Sequence, residues 1–462
     1  MAQKPSLPKG TRDFTPKELS RRKYIIRTIE RHFERFGFDQ IETPSLENLS
    51  TLTGKYGEEG DRLIFKILNS GDYLNKIDKD SLTSTTSNEL THQISSKALR
   101  YDLTVPFARF VVMNQNELVM PFKRYQIQPV WRADRPQKGR YREFFQCDAD
   151  AIGSNSLIQE VEFIMLYDGV FDDLNISGTC IRVNNRKILA GIADILKISN
   201  RLIDFTVSLD KLDKIGQDGV LKELSSKGFS SEVVESIRPF LELSGDWRKQ
   251  LEYLNGLLGS SSVGKEGLEE FSFVFEQVTQ LGLKTSELIF DITLARGLNY
   301  YTGIIIEVTA PKEVKIGSIG GGGRYDDLTT PFGLKNMSGV GISFGLDRIA
   351  LVLDELNLFP AALDQKVDAV VLNFGDKEML KSLKLAQQLR ALNFVIDCYP
   401  TAAKLQKQFK YVDKKNAAVA IMIGSVESVN DTVILKNMKS GEQKEYSCSD
   451  LQGIQIFITA EF

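Results

Sequence analysis

The chain has 462 residues, of which 42% are hydrophobic and 26% charged, with a formal net charge of −3. This length suffices for two to four domains, and the near-neutral charge excludes a general attraction to nucleic acid, so any polynucleotide contact requires local basic patches. The longest apolar runs, such as residues 417–423, are too short for a membrane span, and the first residues lack an apolar signal segment, so we expect neither membrane insertion nor secretion.

The four cysteines lie far apart and form no CxxC pair, which argues against a disulfide framework and against a zinc site. His32 lies in an amphipathic helical stretch, where we expect a surface or boundary position rather than a metal ligand. His92, the other histidine, lies in a polar stretch. The sequence therefore predicts a cytoplasmic protein with neither zinc nor a histidine-based triad.

The first predicted element is a helix that begins at Pro16, where Thr15 can cap the helix and Glu18 can complete a capping box. A strand over residues 40–43 follows it. Residues 69–97 are rich in Ser, Thr, Asn, Asp and Lys and have little periodicity. This composition predicts a long mobile loop.

Residues 131–153 predict two strands joined by a basic loop. Alternate residues of the second strand form a polar face that comprises Phe144, Gln146, Asp148 and Asp150. The residues between them are apolar or small. Such a hairpin offers donors for phosphate beside acceptors for a small cationic or polar ligand. The alternative is a solvated hairpin at a sheet edge, where basic residues discourage aggregation.

Between about residues 190 and 285 apolar residues recur at helical spacing, which predicts a helical region. A strand pattern returns over residues 288–294, and Arg296, Tyr300 and Tyr301 follow it among glycines. The arginine offers a fixed fork of donors, and the tyrosines offer phenols for a ligand. The alternative is a turn with a structural arginine and packed aromatic rings.

Two glycine-containing segments come next. Residues 317–326 include four consecutive glycines without a following GK[ST], so they predict neither a Walker loop nor a Rossmann turn. They predict either a glycine wall close to a flat ligand or a tight link between strands. Residues 340–348 predict a strand, a glycine and a helix whose first turn holds Arg348, which is a good anion site.

After a linker at about residues 360–366, strands and helices alternate in βαβαβ order, which predicts a domain with a mainly parallel sheet. Four lysines of this domain share one predicted helix face: Lys404, Lys407, Lys410 and Lys414. Leu405, Phe409 and Val412 are predicted to lie behind them. This face suits a polyanion, and the alternative is a solvated basic face.

These segments resemble one family. Arg132, the basic loop and Arg140 resemble motif 2 of the class II aminoacyl-tRNA synthetases, and residues 135–142 are similar to the histidyl-tRNA synthetases in particular. The other motifs follow in the family's order: motif 1 before Pro44, the histidyl-specific motif at residues 296–303 and motif 3 at residues 340–348.

The resemblance implies an α+β fold, with a class II antiparallel-sheet catalytic core, a helical insertion and a C-terminal α/β anticodon-binding domain. The implied boundaries are 1–190 and 286–360 for the two parts of the core, 191–285 for the insertion and 366–462 for the anticodon-binding domain. The resemblance also implies a homodimer in which motif 1 builds the interface.

The implied reaction joins L-histidine to ATP, accompanied by Mg²⁺, and then transfers the histidyl group to the 3′ end of tRNA(His), with no organic cofactor. By resemblance, Arg132 and Arg296 are catalytic, and ATP is bound by Arg132, Asp134, Arg140, Phe144 and Arg348. Histidine is bound by Asp102, Thr104, Gln146, Asp150, Tyr300, Tyr301, Gly321 and Gly323. The tRNA is bound by Arg135, Gln137 and Lys138 in the motif 2 loop and by Lys404, Lys407 and Lys410 in the last domain.

The main alternative is a catalytically silent paralogue that regulates the first enzyme of histidine biosynthesis. Such paralogues usually lack the anticodon domain and the motif arginines, whereas this chain keeps both. A nucleic-acid-binding module with a relict synthetase fold would keep the lysines but need not keep Arg132, Arg296 and Arg348 together. Another class II synthetase would match residues 296–303 poorly.

Overall fold

The structure is a computed structural model that describes residues 4–55, 57–75, 77, 86–295, 300–364 and 367–460. The chain divides into two compact units, Met1–Phe14 with Arg22–Leu358 and Thr15–Arg21 with Phe359–Phe462. Within the described residues, every helix is too short or too polar to cross a membrane.

The helices of the described residues are, in chain order, α1 (Pro16–Arg35), α2 (Leu49–Leu52), α3 (Gly57–Leu63), α4 (Ser87–Ile94), α5 (Thr104–Asn114), α6 (Ile158–Asp173), α7 (Arg186–Ile195), α8 (Leu202–Leu209), α9 (Leu212–Ser226), α10 (Ser231–Glu242), α11 (Trp247–Leu258), α12 (Ser262–Leu281), α13 (Leu346–Glu355), α14 (Asp376–Ala391), α15 (Leu405–Lys414), α16 (Ser425–Asn430) and α17 (Leu451–Thr459).

The strands are β1 (Asp39–Gln40), β2 (Leu46–Asn48), β3 (Lys66–Ile67), β4 (Lys97–Leu99), β5 (Phe122–Trp131), β6 (Glu143–Ile152), β7 (Cys180–Asn185), β8 (Glu287–Phe290), β9 (Ile304–Thr309), β10 (Gly320–Tyr325), β11 (Gly339–Gly345), β12 (Ala369–Val371), β13 (Ile396–Cys398), β14 (Val419–Met422), β15 (Thr432–Asn437) and β16 (Gln443–Ser447).

The larger unit is built on an eight-stranded sheet in the order β1-β5-β6-β11-β10-β9-β7-β8. The six strands from β5 to β7 pair antiparallel, and each edge strand, β1 and β8, pairs parallel with its neighbour. A smaller sheet, β2-β4-β3, lies in the same unit. The predicted antiparallel core is therefore confirmed, with a parallel pair added at each edge.

Aromatic side chains join helices α1 and α6 to the sheet. The Phe33 ring lies 5.3 Å from the ring of Tyr125 on β5, and the Tyr167 ring lies 4.6 Å from that of Phe344 on β11. All four side chains are buried. Because large buried rings contribute much of a core's packing energy, this layer holds β5 and β11 rigidly in place.

The predicted helix start is confirmed, since the Thr15 backbone N–H donates to Glu18 Oε2 at 2.7 Å and the Glu18 N–H donates back to Thr15 Oγ1 at 3.4 Å. The predicted strand over residues 40–43 is reduced to β1. The expected surface or boundary position of His32 is wrong. His32 is only 7% exposed, and its Nε2 lies 2.7 Å from Asp173 Oδ2, because α6 packs against this face of α1.

The expectation of a structureless loop at residues 69–97 is also wrong in part. A capping box in which Thr86 and Glu89 bond reciprocally begins helix α4, and β4 begins at Lys97. The polar composition hid a short helix because its capping residues are themselves polar. Residues 76 and 78–85 of this stretch lie outside the described residues.

Six helices, α7 to α12, lie between β7 and β8, in the part of the chain where the apolar spacing predicts helices. In the smaller unit the predicted βαβαβ order is confirmed by β12, α14, β13, α15 and β14. The sheet order is β13-β12-β14-β15-β16. The expectation of a mainly parallel sheet is only half right, because β15 and β16 add two antiparallel pairings.

A buried ion pair stabilises the larger unit and can be tested. Arg324 Nε donates to Glu160 Oε1 at 2.5 Å, and the side chains are 5% and 0% exposed. Arg324→Leu leaves an uncompensated buried carboxylate, so we expect urea denaturation to show a loss of about 3–5 kcal/mol in the free energy of unfolding. Arg238→Leu, which breaks an exposed pair with Glu235, should change it by less than about 0.5 kcal/mol. Equal losses of unfolding free energy in the two variants would contradict a stabilising role for the buried Arg324–Glu160 pair.

Candidate active site

The polar face of β6 forms the floor of the site. Strand β6 lies between β5 and β11, with Asp148 opposite Ser343 and Asp150 opposite Gly341. A Cβ atom on Gly341 would lie 2.0 Å from Asp150 Oδ1. Glycine is therefore required at this position, because only a residue without a side chain leaves room for the aspartate carboxylate.

A cavity opens above this face. Its lining residues come from the start of α5 and the residues before it, from β6, β10 and β11, and from the segment before β9: Asp102, Thr104, Gln146, Asp148, Asp150, Tyr300, Tyr301, Gly321, Tyr325, Gly341, Ile342 and Ser343. Of the eight residues predicted to bind histidine, seven line this cavity. The eighth, Gly323, does not line the cavity but adjoins its wall, since an added Cβ would approach the Tyr301 ring to 3.0 Å.

Five of the lining residues were not among the predicted site residues: Asp148, Tyr325, Gly341, Ile342 and Ser343. Asp148 could have been assigned, because it alternates with Gln146 and Asp150 on the same strand face. The other four come from β10 and β11, and the sequence pattern could not predict how these two strands pair. The alternative of a tight strand link or bulge at residues 317–326 is wrong, because residues 320–325 form the regular central strand β10.

Asp150 is held by two buried partners. Arg124, directly opposite on β5, pairs with Asp150 Oδ2 at 2.7 Å, and the Tyr325 hydroxyl donates to Asp150 Oδ1 at 2.7 Å. Burial raises the pKa of Asp150, whereas the Arg124 charge and the Tyr325 hydrogen bond oppose that rise. Both carboxylate oxygens are thus engaged by the protein, and the cavity wall is fixed before a ligand enters.

Asp148 is also buried, but the contacts to its carboxylate are longer than those of Asp150. The Gln146 amide nitrogen lies 3.4 Å from each of its carboxylate oxygens. Burial, opposed by the Arg124 charge and reinforced by the charge of Asp150, raises the pKa of Asp148 to about 7. A carboxyl group with this pKa can gain or lose a proton near neutral pH.

The Tyr301 side chain stays protonated. Burial, followed by the charges of Asp150 and Asp148, raises the pKa of Tyr301, so its hydroxyl remains a hydrogen-bond donor. The ring of Tyr300 packs edge-on at 5.1 Å from that of Tyr301.

Asp102 accepts the Val105 backbone N–H at 3.1 Å and thereby orients the start of α5. Arg296, predicted to be catalytic, lies in residues 296–299, outside the described residues.

The predicted ATP-binding residues surround the hairpin and the start of α13. The Arg132 guanidinium lies 4.3 Å from the Tyr101 ring centre and 5.3 Å from that of Phe144. Arg140 pairs with Asp134 at 2.7 Å. Arg348 donates to the backbone oxygen of Ser318 at 2.5 Å.

A second cavity adjoins the motif 2 loop and is lined by Gln137, Lys138, Lys315, Ile316, Gly317 and Arg348. Three of these side chains are cationic, which suits phosphate. Arg135, Gln137 and Lys138 are exposed on the loop, and Lys138 pairs with Glu355 on α13. The exposed side chains of this loop are therefore accessible to a large anionic ligand.

Residues 80–349 match the family model described as histidyl-tRNA synthetase. The histidine–tRNA ligase of Christiangramia forsetii is 58% identical over 453 residues, which cover 98% of this chain and 99% of that protein. The chain belongs to the histidyl-tRNA synthetase family. The histidine–tRNA ligase of Flavobacterium johnsoniae is 57% identical, with 96% and 97% of the two chains covered. The crystal structure of the histidyl-tRNA synthetase from a Nostoc species aligns with a TM-score of 0.80 at 31% identity, covering 98% of this chain and 99% of that one.

The last part of this synthetase-family chain also matches a family model, because residues 368–454 match an anticodon-binding domain. In this unit Lys404, Lys407, Lys410 and Lys414 are all exposed, with Lys404 preceding the first residue of α15. The expectation that Leu405 lies behind them is wrong, because Leu405 is 43% exposed. Gln408 is buried instead, and its amide bonds the backbone of Asn373 at 2.8 Å.

The raised pKa of Asp148 predicts a pH effect on stability. The folded chain keeps a proton on this carboxyl that the unfolded chain releases between pH 3.8 and about 7. The free energy of unfolding, relative to an Asp148→Asn variant, should therefore fall as pH rises through this range, with a slope that approaches about 1.4 kcal/mol per pH unit. Urea denaturation of both proteins at several pH values measures this difference. Parallel curves would show that Asp148 does not titrate in this way.

Proposed function

We propose that this chain is a histidine–tRNA ligase, which activates L-histidine with ATP and then transfers it to the 3′ end of tRNA(His). One observation carries the proposal most directly. A cavity on the polar face of β6 brings the carboxyls of Asp102, Asp148 and Asp150 together with the Tyr301 phenol. Such a lining suits a small ligand with an ammonium group and a polar ring, and it rejects apolar amino acids because they would remove water from these polar groups without offering them a hydrogen bond.

The proposed histidine contacts follow from the lining. Asp102, Thr104 and Gln146 hold the α-ammonium group. Asp150 and Tyr301 face the imidazole, with Tyr300, Gly321 and Gly323 supporting the wall. Asp148, which was not among the predicted site residues, adds a further hydrogen-bond acceptor between the ammonium group and the imidazole of the ligand.

The proposed ATP contacts lie around the motif 2 hairpin. Phe144 stacks on the adenine, Arg132 and Arg296 hold the α-phosphate and the histidine carboxylate, and Arg140 and Arg348 hold the distal phosphates. Preorganised arginines stabilise the charge that develops during adenylation. Asp134 orients Arg140 through their ion pair.

Mg²⁺ fits this site as an ion that arrives with the triphosphate. Within the described ranges, His, Cys, Asp and Glu side chains form no cluster of three suited to a metal. Mg²⁺ bound to ATP phosphates keeps several waters and needs only one or two carboxylates, so it requires no cage of its own. We include neither zinc nor an organic cofactor in the proposal.

Assembly and location complete the proposal. The chain forms a homodimer through motif 1, the helix and strand before Pro44, so light scattering should give twice the chain mass of 51.9 kDa. A stable particle of the single-chain mass would contradict this. The four cysteines are free, which suits the reducing cytoplasm.

The proposed function is tested by ATP–pyrophosphate exchange with each of the twenty amino acids. We expect exchange with histidine alone. The regulatory alternative predicts no exchange with any amino acid, and another class II activity predicts exchange with a different one.

Tyr301 provides a test of the proposed pocket. Tyr301→Phe removes one buried donor, so the KM for histidine should rise by about tenfold or more, whereas the KM for ATP should change by less than about twofold. Tyr253→Phe, at an exposed position on α11, is the control and should leave both constants unchanged. Equal increases for both substrates would make Tyr301 a packing residue.

The lysine face of α15 provides a test of tRNA binding. Replacing Lys404, Lys407 and Lys410 together by Ala should weaken tRNA binding and reduce the slope of log affinity against log salt by up to about three, since three phosphate contacts are lost. Histidine activation without tRNA should stay intact. A matched triple substitution of the exposed Lys377, Lys384 and Lys439 is the control. An unchanged salt slope in the first variant would leave the lysines as a solvated face.

A further inference from the structure

A group of charged side chains lies beside the active-site cavity but outside its lining. Arg182 on β7 donates from Nε to Asp291 Oδ2 at 2.5 Å, and its Nη1 lies 3.4 Å from Glu307 Oε2, directly opposite on β9. These three side chains are 19%, 12% and 7% exposed. A third carboxylate, Asp213 on α9, pairs with the same Nη1 at 3.1 Å.

Asp291 shapes the turn that follows β8. Its Oδ1 accepts the backbone N–H of Thr293 at 3.0 Å and the Thr293 hydroxyl at 2.7 Å. From the same face of β7 as Arg182, the buried Asn184 amide donates to the backbone oxygens of Ile292 and Leu294, each at 2.9 Å. Strand β7 thus fixes, through two side chains, the segment that immediately precedes Arg296 in the sequence.

Glu307 extends the group toward the proposed phosphate site. Its Oε1 accepts a hydrogen bond from the Ser318 hydroxyl. The backbone oxygen of Ser318 in turn accepts from Arg348 Nη1 at 2.5 Å. Arg182 is therefore connected through Asp291 to the segment before Arg296, and through Glu307 and Ser318 to Arg348.

We propose that Arg182 is a positioning residue for the adenylation step, which orients the Asp291–Ala295 segment through Asp291 and the Arg348 guanidinium through Glu307 and Ser318. The inference rests on the proposed function, in which Arg348 binds phosphate and the Asp291–Ala295 segment precedes the proposed catalytic Arg296 in the sequence. Arg182 touches neither substrate. It acts by holding the Asp291–Ala295 segment and the Arg348 guanidinium in place, and small displacements of groups that position substrates are costly to the rate.

Glu307 pairs with the cavity-lining Gly321 through the backbone, but the carboxylates of the histidine cavity should be largely independent of this group. Asp148 and Asp150 lie on β6, which is separated from β7 by three strands. Disturbing Arg182 should consequently affect ATP use and turnover more than histidine binding. A general loss of structure would instead affect both substrates.

The test is steady-state ATP–pyrophosphate exchange with the full chain. Arg182→Met should lower kcat by about 10²-fold, raise the KM for ATP and leave the KM for histidine within about twofold. Arg182→Lys, which keeps a cation near both carboxylates, should recover about tenfold of the lost kcat. Arg238→Met, an exposed arginine on α10, is the control and should behave as the unchanged chain.

Ser318→Ala keeps the test decisive if the methionine variant does not fold, since it removes only the hydroxyl that bonds Glu307. It should raise the KM for ATP about tenfold, the loss of one charge-assisted bond, with the histidine KM unchanged. Unchanged kinetics in either folded variant, or parallel increases in both KM values without recovery by Arg182→Lys, would overturn the positioning role alone. If the chain without substitutions shows no histidine-dependent ATP–pyrophosphate exchange, the proposed function is overturned, and this inference with it.

Discussion

The buried contact of Asp150 with Arg124 and Tyr325 is the constraint on which the site depends. It spans β5, β6 and β10, and its three groups are almost completely shielded from water. Removing one member would leave a charge or a hydroxyl unpaired in the interior, at a cost of several kcal/mol. The contact therefore fixes the register of three strands and the direction of the carboxylate at the same time.

Glycine makes this arrangement possible. Gly341 leaves the space that Asp150 occupies, and a Cβ on Gly322 would lie 2.2 Å from the Gly341 backbone oxygen. Gly321, on the same strand as Gly322, opens one side of the cavity. The glycine run is thus a regular central strand whose missing side chains create the space for a ligand, rather than a loop that wraps around a phosphate.

Much of the fold could be predicted from local sequence. The capping residues Thr15 and Glu18 marked the start of α1, period-two polarity marked β6, and the alternation after residue 366 marked the βαβαβ order. The predictions that failed concern residues whose burial depends on tertiary contacts. The burial of His32 depends on α6, more than a hundred residues away in the sequence, and local periodicity could not reveal it.

The grouping of the cavity-lining residues was partly predictable, mostly through the resemblance. Motif spacing brought Asp102, Gln146 and Tyr301 to one candidate pocket, and the structure places them in one cavity. Tyr325 and Ser343 could not be assigned, because their approach depends on the register of β10 and β11. The network around Arg182 was equally hidden, since its carboxylates come from three separate stretches of the chain.

The central claim is that the cavity on β6 is the histidine pocket. A crystal structure of the chain with bound histidine tests it most directly. We predict the imidazole between Asp150 and Tyr301 and the ammonium group beside Asp102 and Gln146, with the Arg124–Asp150 pair intact. Histidine bound elsewhere on the chain, or an imidazole that contacts neither Asp150 nor Tyr301, would contradict the account.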